Sequence, residues 1–200
     1  DGNAAEVVSA YLNSLLGSER ESEVDLRDWP ERLGDGRARI VHARILDANG
    51  EVASTLQTNQ PMTIEYTLES TTDEPLNLTL VVRSASAGVP VLHFAHYDTP
   101  GVVAENLRGR YTVRLSIPQL QLNAGQFEVV FGVHTPAFQA IDEVRHALSF
   151  NVQDAPDRSR PFSTLAEQSG YVTLPSHWQI APADTVAPDV VVLSSEDQRI

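Results

Sequence analysis

Histidine and carboxylate pairs are the residues of this sequence that could perform acid–base or metal chemistry. His93 and His96 are three positions apart in a segment with strand character, so their side chains point to opposite faces and cannot hold one metal ion together. The carboxylate pairs Asp73-Glu74 and Asp142-Glu143 fall in predicted turns or loops, where turn formation explains them better than glycosidase catalysis does. A nucleophile elbow of the G-x-S-x-G type does not occur. We therefore predict no catalytic residue, no metal site and no cofactor.

The clearest pattern that could position a site lies between residues 111 and 133. Apolar residues alternate with polar ones over residues 111–117 and again over 127–133, with the period of two that a half-buried strand requires. Pro118 and the turn residues 123–125 separate the two runs. This connection is too long for a tight hairpin and too short for a crossover helix. We predict that the chain passes here from one sheet to the facing sheet, and that these two strands form the centre of the core.

Other segments show the same alternation. They are residues 41–45, 62–68, 76–82, 89–97 and 148–152, separated by turn signals such as Asn49-Gly50 and Ala87-Gly88. Seven or eight short strands with almost no helix between them predict an all-β fold, an antiparallel β-sandwich.

The two ends of the chain have a different character. Residues 1–17 carry apolar residues at helical spacing and predict one amphipathic helix, whereas residues 18–36 are polar and without a period and predict a linker. The sandwich is expected over residues 37–180, with 171–174 as a last short strand and Trp178 docking on the body. Residues 181–200 predict a mobile tail or an exchanged strand, since residues 190–193 are apolar.

Composition narrows the possible partners. The chain has 27 acidic and 14 basic residues and a net charge of −13, which argues against nucleic acid and anionic membranes as partners. It has no cysteine, which excludes disulfides and thiolate chemistry. No segment has the length and apolarity of a transmembrane span or the pattern of a signal peptide. Because the sequence does not begin with methionine, we expect it to be part of a longer protein.

Several motifs, taken in order, resemble a known family. They are ILDANGE, NQPMTIEYTLES, GVPVLHFAHYDT, LRGRYTVRLSIPQLQLNAGQFEVVFGV and HALSFNVQD, followed by Trp178. The series resembles the C-terminal domain of Wzt-type proteins, the ATPase subunits of ABC transporters that export O-antigen polysaccharide. The resemblance covers about residues 37–180, and the N-terminal GNAAEVVSAYLNSLL resembles the helix that closes the ATPase domain in that family.

The resemblance implies a non-catalytic, immunoglobulin-like β-sandwich that recognises the exported O-antigen glycan. It also implies a homodimer at the cytoplasmic face of the bacterial inner membrane, connected to the transporter membrane subunit through an ATPase domain. The sequence contains no G-x-x-x-x-G-K-[ST] phosphate loop, so nucleotide binding is not assigned to it.

Strand parity selects candidate residues for the glycan. If Phe127 and Phe131 point into the core, the alternate residues of that strand and of its neighbours point outward. Gly132 is expected to leave a gap in this outer face, rimmed by arginine and histidine side chains, over an apolar floor of Val81 and Val130. The predicted carbohydrate-binding residues are Arg83, His93, Gly132, His134 and Arg145.

Two alternatives remain open. The same outer face could be an ordinary solvated surface, or it could meet a protein partner in a structural immunoglobulin-like domain that binds no glycan. Trp178 has the right side chain for stacking on a sugar, but a single tryptophan near the end of a sandwich is more typical of a lid on the core. A glycan-degrading enzyme lacks a convincing acid–base pair.

Overall fold

The computed structural model describes residues 22–155, 166 and 170–174, and they form two packed β-sheets. The strands are β1 Glu23–Asp25, β2 Arg32–Leu33, β3 Ala38–Leu46, β4 Thr55–Gln57, β5 Met62–Ser70, β6 Asn77–Ser84, β7 Pro90–Ala95, β8 Gly109–Ile117, β9 Gly125–His134 and β10 Ala140–Gln153. One short 3₁₀ turn, His96–Asp98, follows β7. The prediction of an all-β sandwich is confirmed. The predicted helix over residues 1–17 lies outside the described residues.

The topology divides the strands into a four-stranded and a six-stranded sheet. The first has the order β1-β3-β5-β8, and the second has the order β2-β10-β9-β6-β7, with β4 also pairing with β10. Every pairing between named strands is antiparallel except that of β4 with β10, which is parallel. The long strand β10 therefore borders β2 along its first half and β4 along its second.

The predicted change of sheet between residues 117 and 127 is confirmed, because β8 belongs to the four-stranded sheet and β9 to the six-stranded one. The two strands are not equally central, however. The apolar row of β9 is fully buried, whereas the corresponding row of β8 is only partly buried. The cause is that β9 lies between β10 and β6, whereas β8 has a partner, β5, on one side only within the described chain.

Aromatic rings join the inner faces of the sheets. Tyr66 of β5 meets Phe131 of β9 edge to face, with ring centroids 5.2 Å apart, and Phe127 stacks on Phe150 of β10 at 5.6 Å. Such pairs add specific geometry to the large apolar area that aromatic side chains bury. The alternation of β9 follows from this core, since a slip of one residue would expose both phenylalanines.

Residues 22–36 belong to the folded body, so the prediction of a linker over residues 18–36 is wrong for this part. β1 pairs with β3, and β2 pairs with β10. Leu26 is 0% exposed, and Trp29 packs against the core while its Nε1 donates a hydrogen bond to the carbonyl of Arg145 at 2.9 Å. Isolated apolar residues in short strands carry no period, which is why the pattern indicated a linker.

A buried ion pair fastens this N-terminal segment to the sandwich. The Nε of Arg32 lies 3.1 Å from a carboxylate oxygen of Asp142, whose side chain is fully buried. Asp142 accepts a hydrogen bond from the backbone N–H of Ile40, and Arg32 donates to the carbonyl of the same residue. Three strands, β2, β3 and β10, meet at this pair.

The predicted docking of residues 171–174 on the body is confirmed. Val172 forms a β-bridge with Leu122, and the backbone N–H of Thr173 donates to the carbonyl of Gln121 at 2.9 Å. Trp178 and the predicted tail over residues 181–200 lie outside the described residues.

A candidate binding face on the six-stranded sheet

The outer faces of the two sheets differ in how their charges are used. On the four-stranded sheet, Glu65 lies between Arg44 and Arg114 and pairs with both. Further along, Arg110 pairs with Glu69 at 3.4 Å. The hydrogen bond from Arg114 is the largest of the causes that hold the pKa of Glu65 below its ordinary value. This outer face is a laced, solvated surface.

The outward residues of β6, β9 and β10 form the other surface, here called the candidate face. Cross-strand register places them in rows: Thr79–Gly132–Glu143, Val81–Val130, Arg83–Glu128–Ser149 and Gln126–Asn151. Although Glu128 points away from the core, it is only 4% exposed. A carboxylate at an outward position is normally solvated, so its burial shows that other side chains cover this part of the face.

One covering side chain comes from an irregularity in β10. Between Val144 and Leu148 three residues oppose a single residue of β9, and His146 in this bulge adopts a positive φ of 52°. Its ring reaches back across the sheet, where Nδ1 lies 2.6 Å from a carboxylate oxygen of Glu128 and Nε2 lies 3.7 Å from Glu31. Bulges of this kind re-aim side chains and are common beside functional sites.

The candidate face also holds hydrogen-bonding atoms that are buried without a partner. Within the described part of the chain, no hydrogen bond reaches the Nε of Arg83, the Nδ1 of His134 or the Oδ1 of Asn151. Arg83 is fixed in place by a hydrogen bond from Nη2 to the carbonyl of Gly88 in the β6–β7 turn. Buried polar atoms are nearly always satisfied, so three such atoms on one surface indicate that it can accept a polar ligand.

The predicted gap at Gly132 is wrong. A Cβ at this position would lie 2.4 Å from the Cε1 of His134 and 2.4 Å from the Oγ1 of Thr79. The space above the glycine is therefore filled by its neighbours. Gly132 is needed because the His134 ring packs over the backbone, which places a hydrogen-bonding ring where we predicted an empty depression.

The structure separates residues that were expected to rim one depression. Arg83 pairs across the sheet with Glu128, whereas His134 lies six residues farther along β9 and pairs with Asn77. At a rise of about 3.3 Å per residue this is a separation of about 20 Å along the strand. Arg83 and His134 therefore define two ends of an elongated surface.

The remaining predicted residues lie at the sides of this surface. His93 is exposed on the edge strand β7, opposite Val81. Arg145 lies in the bulge of β10, where its Nε donates to Glu143 at 2.6 Å. Both are accessible, and Arg145 already has an acidic partner.

Sequence reasoning missed Glu128 and His146 as members of the site. Strict alternation through β10 places Arg145 and Ala147 outward and His146 inward, but the bulge reverses this order, and Ala147 is buried. One signal was present, since the polar run from Asp142 to His146 interrupts the apolar alternation. It reveals that the strand is irregular without revealing which way each residue turns.

The described residues give no sign of a metal centre or of a membrane span. They contain no group of three or more histidine, aspartate or glutamate side chains arranged to hold a metal ion. Within the same part of the chain, no helix has the length and apolar character needed to cross a bilayer.

The two facing sheets, with one 3₁₀ turn between strands of the described chain, define an all-β sandwich domain. The sequence matches the Wzt C-terminal domain family over residues 30–168, and the chain belongs to that family.

Solved structures agree with this fold. The crystal structure of the C-terminal domain of Wzt is similar with a TM-score of 0.62 and 18% sequence identity, over 76% of this chain and 90% of that chain. A Niemann-Pick type C2 protein from the Japanese carpenter ant has a TM-score of 0.46 and 11% identity, over 61% of this chain and 97% of its own, a likeness too weak to carry an argument. No match is found among curated proteins.

Proposed function

We propose that this domain binds an O-antigen polysaccharide and thereby selects it for export by an ABC transporter. Membership of the Wzt C-terminal domain family supports a role in such a transporter. The observation that carries the proposal is the unused hydrogen-bonding capacity of Arg83, His134 and Asn151 on the candidate face. Sugar hydroxyls both donate and accept hydrogen bonds, so a glycan can satisfy side-chain donors and acceptors of each kind.

The shape of the candidate face suits a polymer better than a single sugar. Its hydrogen-bonding groups extend for about 20 Å along β9, from the row of Arg83 to His134. Between these ends Val81 and Val130 provide an apolar floor, against which the C–H faces of sugar rings can pack. We infer that several consecutive sugar units lie along β9.

Binding of this kind is weak. The glycan and the face both give up water, and a largely open surface buries little apolar area in return. We expect a dissociation constant on the order of micromolar to millimolar, about −8 to −4 kcal/mol. Weak binding suits a transporter component that must release its cargo.

The wider setting of the domain is part of the same proposal. The domain acts as a homodimer at the cytoplasmic face of the bacterial inner membrane, and an ATPase domain connects it to the membrane subunit. It performs recognition and no catalysis.

Calorimetric titration of the chain with the O-polysaccharide of its source organism tests the proposal. We expect saturable binding in the range above, and no binding of an unrelated polysaccharide of similar length. If the folded chain binds no cognate glycan at millimolar concentration, the proposal is wrong, and a protein-interaction role becomes the better explanation of the candidate face.

A further inference from the structure

A cavity of about 510 Å³ lies between the two sheets, on the side where β7 and β8 are the edge strands. Its wall includes Leu80 and Phe94 from the six-stranded sheet, Tyr66 and Val113 from the four-stranded sheet, and the segment that connects β7 to β8. The volume falls within the range of roughly 300–1,000 Å³ that is usual for small-molecule sites. The cavity is distinct from the candidate face, which lies on the outer side of the six-stranded sheet.

The cavity exists because the sandwich does not close at this edge. Val113 and Leu115 of β8 point between the sheets but remain partly exposed, whereas their neighbours Ile64 and Tyr66 on β5 are buried. Val103, in the connecting segment at the cavity wall, is 66% exposed. Apolar surface that stays in contact with water is unfavourable, so a hydrocarbon ligand in this space would gain free energy by covering it.

Tyr66 supplies the one polar feature deep in the wall. It is 4% exposed, and its hydroxyl makes no hydrogen bond within the described part of the chain. Burial raises the pKa of this phenol, so the O–H group keeps its proton. A buried tyrosine hydroxyl normally has a partner, which a bound molecule could provide.

The charges around the cavity favour a neutral polar group over a carboxylate. Arg114 is the one arginine among the described residues of the wall, and it pairs with Glu65 on the outer face of its sheet. His96 accepts a hydrogen bond from the backbone N–H of Leu78 at 3.2 Å through Nδ1. An anion taken into the cavity would therefore lose its hydration without gaining a free cation.

We propose that this cavity binds a neutral single-chain lipid, with its hydrocarbon part between the sheets and one hydroxyl or carbonyl group hydrogen-bonded to Tyr66. The site is independent of the glycan proposal, because it uses the inner faces of the sandwich and not the outer one.

Titration of the full chain with 1-dodecanol, kept below its solubility limit, tests this site. We expect saturable binding of the alcohol and weaker binding of dodecanoate at neutral pH. Tyr66→Phe removes only the hydroxyl and should weaken alcohol binding between about twofold and tenfold, the range for one neutral hydrogen bond. Val113→Phe should fill the cavity and abolish binding, whereas Arg110→Ala, on the outward row of the same strand, should leave it unchanged.

The proposal is overturned if the folded wild-type chain binds no 1-dodecanol. It is also overturned if Tyr66→Phe and Val113→Phe both bind the alcohol as the wild type does, since the lipid would then lie elsewhere. Dodecanoate binding as tightly as dodecanol would overturn the assignment of a neutral ligand. Tyr66→Phe conserves the ring that meets Phe131, so the test survives if Val113→Phe does not fold.

Discussion

The ring of His134 lies directly over the backbone of Gly132, two residues earlier on the same strand, so that even a methyl group at position 132 would meet the ring at 2.4 Å. On a β-strand, residues two apart share a face, and the absence of a side chain at one of them lets the other fold down along the sheet. The glycine therefore sets the position of a hydrogen-bonding group at one end of the candidate face.

Gly132→Ala should displace the His134 ring and weaken glycan binding. Because the added methyl group also meets the Oγ1 of Thr79, we expect a loss of stability of about 1–3 kcal/mol, typical of an overfilled site. The ring resonances of His134 in NMR spectra report the displacement, and thermal unfolding reports the stability. Unchanged His134 resonances in the variant would contradict the proposed packing.

Arg83→Ala should weaken glycan binding by about 1–3 kcal/mol, since a charged hydrogen-bond donor at the other end of the candidate face is lost. The matched control is Arg110→Ala, which removes an arginine from the opposite sheet, where it pairs with Glu69. Titration calorimetry on both variants separates a local contact from a general effect of charge. Equal losses in the two variants would argue against a site at Arg83.

Arg32→Met should cost about 3–5 kcal/mol of stability, because it leaves Asp142 charged and buried without its partner. Burial raises the pKa of Asp142 and lowers that of Arg32, so the loss of hydration outweighs the mutual attraction at both groups. The double variant Arg32→Met, Asp142→Leu should therefore be more stable than Arg32→Met alone, although Ile40 loses its hydrogen-bond acceptor. Urea unfolding of the two single variants and the double variant measures this coupling, and strict additivity would refute it.

Glu65 should make stability depend on acidity. Its pKa lies below the ordinary value of 4.5, chiefly because Arg114 donates a hydrogen bond to it. A lowered carboxyl pKa gives stability that is present above the unfolded value and is lost as the pH falls through the folded value. Glu65→Gln should therefore be less stable than the wild type at pH 7, with the difference shrinking below about pH 4.5. Unfolding curves at pH 7 and pH 3 measure it, and a constant difference would contradict the linkage.

The sequence predicted those parts of the fold whose pattern is local. β9 shows this, because burying Phe127 and Phe131 while exposing Glu128 and Gly132 leaves one register for the strand. Short strands such as β1 and β2 contain too few residues to show a period, and their places depend on long-range partners such as Asp142.

The candidate site was predicted in part for the same reason. Parity placed Arg83 and His134 on the correct face, since both lie on regular strands. It failed for His146, because the bulge in β10 depends on how three residues are accommodated opposite Val130. It also failed for the supposed gap, because the direction in which the His134 ring folds depends on its side-chain rotamer and not on strand parity.

The most direct test of the glycan-binding proposal is an NMR titration of the isotope-labelled chain with its cognate O-polysaccharide, following the backbone amides of both outer faces. We expect saturable shifts along the candidate face, at Thr79, Arg83, Gly132, His134 and Ser149, and none at the outward residues of β5 and β8. Shifts confined to the four-stranded sheet, or no shifts at millimolar glycan, would contradict the proposal.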